Sequence, residues 1–302
     1  MSEPIPRGIG SGRITRRSLL RGAAGMAAAG ALALPALAAD DKPAATRKRV
    51  KQSIVQWCFQ KHWDTDEMCR VARRLGCVSV ELVDPKDWPT LRKHDLVCAI
   101  APSHWFDKGM NNPKYHDMCI GKMRKAIDAC ADHGFPNVIT FTGFREDIPD
   151  DQGIKNCVAG YKKIIGHAEK KKVNLCLEML NSRVKEEMKG HPGYQGDHTD
   201  YCMQIIKQVG SPRMKLLFDI YHVQIMDGDV IRRIRQYADY IAHIHTAGNP
   251  GRAELDDRQE INYPPIMKAL VEVGYKGYVG QEFIPTRDPL QGLREAVALC
   301  DV

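Results

Sequence analysis

Lys215-Leu216-Leu217-Phe218-Asp219-Ile220-Tyr221-His222 is a short apolar run that ends on a carboxylate and passes straight into polar side chains. The same construction occurs upstream as Val173-Asn174-Leu175-Cys176-Leu177-Glu178-Met179-Leu180-Asn181. It returns downstream as Ile241-Ala242-His243-Ile244-His245 and as Tyr278-Val279-Gly280-Gln281-Glu282-Phe283. Apolar runs of this length, without strict alternation, describe strands buried on both faces, as in a parallel sheet covered by helices.

Four earlier runs, Ser53–Trp57, Val78–Val83, Leu96–Ala101 and Asn137–Thr142, extend the pattern to eight predicted strands. Helical periodicity fills the connections over Asp66–Leu75, Pro113–His133, Gly153–Lys171, Thr199–Val209, Val230–Tyr237, Pro264–Val273 and Pro289–Leu299. The connection Pro85–His94 carries two prolines and is the weakest helical pattern of the set. Gly76, Gly134, Gly210 and Gly274 each follow a helical pattern where a left-handed cap is expected. Repeated β-α units with no GxGxxG turn favour a (β/α)8 TIM barrel over a dinucleotide-binding sheet. The expectation is an α/β protein with a single-domain barrel over residues 51–302.

The chain has 302 residues, 43% hydrophobic and 27% charged, which excludes collagen, coiled coil and disulfide-dense miniprotein. Its net charge is +7, but residues 1–39 supply +4 of that through five arginines against Glu3. The +3 left for the remainder is too weak to argue for nucleic acid or an acidic membrane as partner. Lys170-Lys171-Lys172 reads as a solvated helix end.

Thr15-Arg16-Arg17-Ser18-Leu19-Leu20-Arg21 precedes an uncharged Ala/Gly/Leu stretch that closes on Ala36-Leu37-Ala38. This arrangement is similar to a twin-arginine signal peptide over residues 1–39, with cleavage after the small residues. The resemblance implies the twin-arginine export machinery as partner and a periplasmic location after folding. The stretch is rich in Ala and Gly and broken by Pro35, so no stable membrane anchor is expected. Residues 40–50 read as a solvated linker. Ten cysteines at scattered positions, with no CxxC, are expected to be free and buried, and to hold no zinc.

Chemistry in a TIM barrel sits at the C-terminal ends of the strands. The last four predicted strands end in Glu178, Asp219, His245 and Glu282, each embedded in apolar sequence. One such carboxylate is ordinarily a helix cap or an ion-pair partner. Three together are costly to bury unless positive charge compensates, and a divalent cation is the simplest compensation. Three oxygen donors and one imidazole favour Mn²⁺ or Mg²⁺, with Co²⁺ or Zn²⁺ as alternatives. His243 shares a face with His245, but His245 lies nearer the strand end and is the expected ligand. His62 and His104 are weaker candidates at the barrel mouth.

These motifs, together with Glu260-Ile261-Asn262-Tyr263 and Gly280-Gln281-Glu282-Phe283-Ile284-Pro285, resemble the xylose isomerase-like barrel superfamily. Within it, residues 50–300 look most like the hydroxypyruvate isomerase branch of sugar isomerases and epimerases. The resemblance implies one divalent metal held by Glu178, Asp219, His245 and Glu282, with Glu178 and Glu282 also serving as catalytic acid and base. It implies substrate-binding roles for His222 and Arg252. Members of the hydroxypyruvate isomerase branch carry Gln where this chain has His245.

The expected reaction is proton transfer through an enediolate, on a small-molecule carbohydrate or hydroxy-keto acid substrate. Isomerisation or epimerisation is the first reading. A lyase or dehydratase on a keto-sugar, and a non-catalytic exported sugar-binding barrel, are the alternatives. A multi-zinc nuclease would need more metal ligands and a basic face.

Overall fold

The computed structural model describes residues 42–302. The expected signal peptide, residues 1–39, lies outside the described residues. Seven parallel strands form the sheet: β1 (Lys51–Val55), β2 (Ser79–Glu81), β3 (Asn137–Thr140), β4 (Asn174–Glu178), β5 (Met214–Asp219), β6 (Ile241–Thr246) and β7 (Tyr278–Gln281). Their order is β2-β1-β7-β6-β5-β4-β3, with every pairing parallel.

The strand expected at Leu96–Ala101 is the main departure. Only its two ends bridge the sheet, Val97 to Ser79 and Ala101 to Val138. Between them Ala99 bonds to side chains: its N–H donates to Ser79 Oγ and its carbonyl accepts from Asn137 Nδ2, both at 2.9 Å. Two side chains thus replace ladder partners and break the regular strand at its middle. The bridges still join β2 to β3, which closes the single-domain barrel.

Alternation along the strands separates two packing layers. Leu175, Leu177, Leu216, Phe218, Ile244 and Val279 belong to the large core between sheet and helices. Ile100, Ile139, Cys176 and Leu217 belong to a second, smaller cluster inside the ring. Glu178, Asp219, His243, His245 and Gly280 share the parity of that inner set. The strand pattern therefore carries the polar residues into the lumen.

Helices occupy the expected connections, with three adjustments. The predicted helix Gly153–Lys171 is two, Asp150–Lys162 and Ile165–Lys171. Lys163 and Ile164 donate to carbonyls three residues back, and this tightened turn ends the first helix. The doubtful Pro85–His94 connection holds a 3₁₀ turn, Pro85–Asp87, and a short helix, Trp88–Lys93. Two short helices directly follow strands, Gln56–Phe59 after β1 and Ile220–Met226 after β5.

Residues 42–50, read as a solvated linker, are mostly exposed but are fastened to the barrel. Asp301 Oδ2 accepts from the backbone N–H of Thr46 (2.6 Å) and Arg47 (2.7 Å), and Oδ1 accepts from that of Lys48 (2.9 Å). Ala44 and Ala45 donate to the Leu75 carbonyl, and Ala45 and Val50 are buried. Polar composition suggested a free tether, but its backbone donors have found fixed partners. All ten cysteines are free and buried. No helix among the described residues is long and apolar enough to cross a membrane.

Candidate metal and active site

The ends of β4, β5 and β6 and the residue after β7 converge at one mouth of the ring. One ligand atom from each of Glu178, Asp219, His245 and Glu282 lies within 4.8 Å of the others, and all four side chains are buried. His245 Nδ1 stands 3.2 Å from Glu178 Oε1 and 3.1 Å from Glu282 Oε2. Asp219 divides its oxygens. Oδ1 accepts from the N–H groups of Tyr221 (2.8 Å) and His222 (3.3 Å), capping the helix Ile220–Met226. Among the described residues Oδ2 has no hydrogen-bond partner, and it faces the cluster with Arg252 3.6 Å away.

Burial and mutual repulsion shift these groups strongly. Burial, and then the Glu282 charge, push Asp219 up to about 8. Burial also raises Glu178, although His245 works against the shift. For Glu282, burial is outweighed by Arg252 and His245, which hold it well below the usual carboxylate range. Burial opposes the charge of His245, yet Glu282, Glu178 and Glu81 together raise it well above the imidazole range. An orphaned buried carboxylate oxygen inside a cluster of three acids and one imidazole fits a divalent ion.

His222 and Arg252 stand against this cluster. Asn181 donates to His222 Nδ1 from its backbone N–H (3.1 Å) and its side-chain amide (2.7 Å). The neutral ring therefore carries its proton on Nε2, which has no partner and lies 3.6 Å from Asp219 Oδ2. Burial, then Arg252, keeps this histidine far below the ordinary imidazole range and uncharged. The Arg252 guanidinium pairs with Glu282, donates to the Met188 carbonyl (2.6 Å) and lies over the rings of Trp57 and Tyr221. His104 instead bonds Thr140 Oγ1 (2.8 Å) and the Trp105 and Lys108 carbonyls, and His62 is exposed, so neither joins the cluster.

Three residues in or beside the site were not singled out by sequence. Trp57 donates from its indole to Glu282 Oε1 at 3.0 Å. His191, in the long connection after β4, packs its ring 4.2 Å from Phe106. Glu81 ends β2 and would have been found by reading the early strand ends as the late ones were. A cavity of ≈ 50 Å³ opens between Trp57, Phe106, Glu178, His191, Arg252 and Glu282. A larger hollow of ≈ 450 Å³ lies near Lys51, Asn137, Asn174 and Tyr278, where the strands begin, away from the four acids and histidine.

Residues 69–301 match the family described as xylose isomerase-like TIM barrel. The chain belongs to that family. It is 37% identical over 117 residues to a putative hydroxypyruvate isomerase of Homo sapiens, covering 39% of this chain and 40% of that protein. It is 33% identical over 150 residues to a 2-oxo-tetronate isomerase of Cupriavidus necator, covering 48% and 55%. The matched part is thus about half of each relative's length. Among solved structures, an AP endonuclease, family 2, from Brucella melitensis superposes with TM-score 0.71 at 22% identity, covering 81% of this chain and 96% of that one. A 3-keto-D-glucoside 4-epimerase from E. coli gives TM-score 0.69 at 16% identity, covering 83% and 98%. At such identities these two similarities concern the fold.

Proposed function

We propose that the protein is a divalent-metal-dependent isomerase or epimerase that moves a carbon-bound proton on a small hydroxy-keto acid or sugar. The observation that carries this reading is the convergence of Glu178, Asp219, His245 and Glu282 at the mouth of the barrel. The named isomerases among its relatives support the same reaction class. A bound Mn²⁺ or Mg²⁺ would supply positive charge to stabilise the oxygen of an enediolate.

The remaining work falls to this chain's own groups. Glu178 and Glu282 project from strands three steps apart around the ring, so they reach a bound molecule from two sides. One removes the proton and the other returns it, to the neighbouring carbon in isomerisation or to the opposite face in epimerisation. His222 offers Nε2–H to a substrate oxygen. Arg252 offers positive charge beside Glu282, suited to a carboxylate or an oxyanion. Trp57 and Phe106 wall the cavity in which the substrate would lie beside Glu178 and Glu282. We place the protein in the periplasm after twin-arginine export, on the strength of Arg16-Arg17 and Ala36-Leu37-Ala38.

Incubation of Mn²⁺-loaded protein with three- to six-carbon hydroxy-keto acids and ketoses in D₂O tests the reaction. Deuterium should enter the carbon next to a carbonyl, with the isomer accumulating. A metal-loaded protein that exchanges no substrate proton refutes the enzymatic reading and leaves the sugar-binding barrel. Loss of a β-substituent in place of isomer formation identifies the lyase. Glu178→Gln and Glu282→Gln should each lower turnover on the order of 10²–10⁴-fold while the fold persists. Wild-type turnover in both, with metal bound, rules out the two-glutamate mechanism.

A further inference from the structure

Beside the cluster, Glu81 reaches from β2 to two histidines of β6. Its Oε1 lies 2.8 Å from His245 Nε2 and 2.8 Å from His243 Nε2. All three side chains are fully buried, and among the described residues no Lys or Arg pairs with Glu81. Glu81 Oε2 and His243 Nδ1 have no hydrogen-bond partner. The bonding of this carboxylate is therefore concentrated on one oxygen, approached by two imidazoles whose rings stand at 89°.

Barrel lumens are ordinarily filled by branched apolar side chains, and a buried carboxylate there is expensive. Room has also been left for this one. Gly280 faces it from β7, and a Cβ at that position would come within 2.3 Å of Glu81 Oε1. Its register partner on β1 is another small residue, Ser53. An interior that gives up apolar packing at three adjoining positions calls for a return in geometry. That return is visible at His245. With Nε2–H donated to Glu81, its Nδ1 is the atom turned toward Glu178 and Glu282.

We propose that Glu81 is a positioning residue: it fixes the ring of His245 and keeps the proton on Nε2, so that Nδ1 is presented to the metal. His243 holds the same carboxylate oxygen from the other side and stops it from swinging away. This rests on the metal-dependent reading above, and is the arrangement by which a carboxylate orients a ligating imidazole.

The test compares wild type, Glu81→Gln and Glu81→Ala by calorimetric Mn²⁺ titration and by crystal structures of the metal-free proteins. Folded Glu81→Ala should bind Mn²⁺ on the order of 10–100-fold more weakly. Its His245 ring should leave the orientation that points Nδ1 at Glu178 and Glu282. Glu81→Gln, whose amide oxygen still accepts from both rings, should keep that orientation and lose affinity, but less than Glu81→Ala, because the neutral amide makes the imidazole a weaker ligand. Unchanged affinity in folded Glu81→Ala, or an unmoved ring, overturns the proposal. Should the alanine variant not fold, unchanged affinity in Glu81→Gln overturns it instead. A wild-type protein that binds no Mn²⁺ defeats the metal-dependent reading, whereas the ring orientation in metal-free Glu81→Ala still decides the role of Glu81.

Discussion

Asp219 works with both oxygens, and only one of them is satisfied by the protein. Oδ1 caps the helix Ile220–Met226, while Oδ2 faces the cluster with Arg252 and His222 Nε2 each 3.6 Å away. Burial and Glu282 move this carboxyl from 3.8 to about 8 in the metal-free fold. The folded protein then keeps a proton that the unfolded chain releases, so this contribution to stability is complete below the unfolded value and is lost as pH rises toward 8. Below the imidazole range the buried neutral histidines His104, His191 and His222 oppose this trend, so it is from pH 7 to pH 8 that the melting temperature of metal-free protein should fall, and saturating Mn²⁺ should flatten that slope. A metal-free melting curve independent of pH over this window counts against the buried cluster. His191 makes a separate prediction. It lines the cavity, and burial followed by Arg252 lowers it to about 4, so it meets substrate as a neutral ring. His191→Phe preserves packing on Phe106 but removes both nitrogens, and should raise KM roughly tenfold with little change in kcat. An unaltered KM removes His191 from the substrate contacts.

At the scale of elements, the chain was most legible where apolar runs were long. Thr199–Val209 and Val230–Tyr237 form over the residues their periodicity predicts. Asp219 and Glu178 could be placed because each closes an unbroken buried strand. Legibility failed where side chains take over backbone bonding. Nothing in Leu96–Ala101 announces that Ser79 and Asn137 will claim Ala99 and interrupt the strand. His191 was hidden for a related reason, since it reaches the mouth from an irregular connection with no period to follow. The 42–50 segment is the same lesson on the outside of the barrel, because its polar composition conceals the clasp on Asp301. Asp301→Ala leaves three backbone N–H groups without their acceptor, and should lower stability by about 2–3 kcal/mol in denaturant titration. Turnover should not change, because the clasp joins residues 46–48 to Asp301 and neither segment contributes to the cluster of Glu178, Asp219, His245 and Glu282. A loss under about 0.5 kcal/mol shows that water satisfies those donors equally well.

For the whole molecule, the proposed export and the chemistry of its interior impose a joint condition. Ten thiols are buried and unpaired, several of them with burial pushing the proton affinity upward, as for Cys77 and Cys98 at about 12. Such thiols are poor nucleophiles in the folded state, and the packing that shields them exists only once the barrel has formed. A chain threaded unfolded into an oxidising compartment would expose them all before they were protected. Export of the finished barrel avoids that exposure, and it lets the metal site fill from the cytosolic ion pool before release. Two measurements bear on this together. Replacing Arg16 and Arg17 by lysine should hold the precursor in the cytosol, as expected of a twin-arginine signal. Wild-type protein recovered from the periplasm should show ten free thiols per chain after denaturation, and almost none before it. Export that ignores the arginine substitutions, or a periplasmic protein with thiols lost to disulfides, means that the chain crosses the membrane by another route or does not cross it folded.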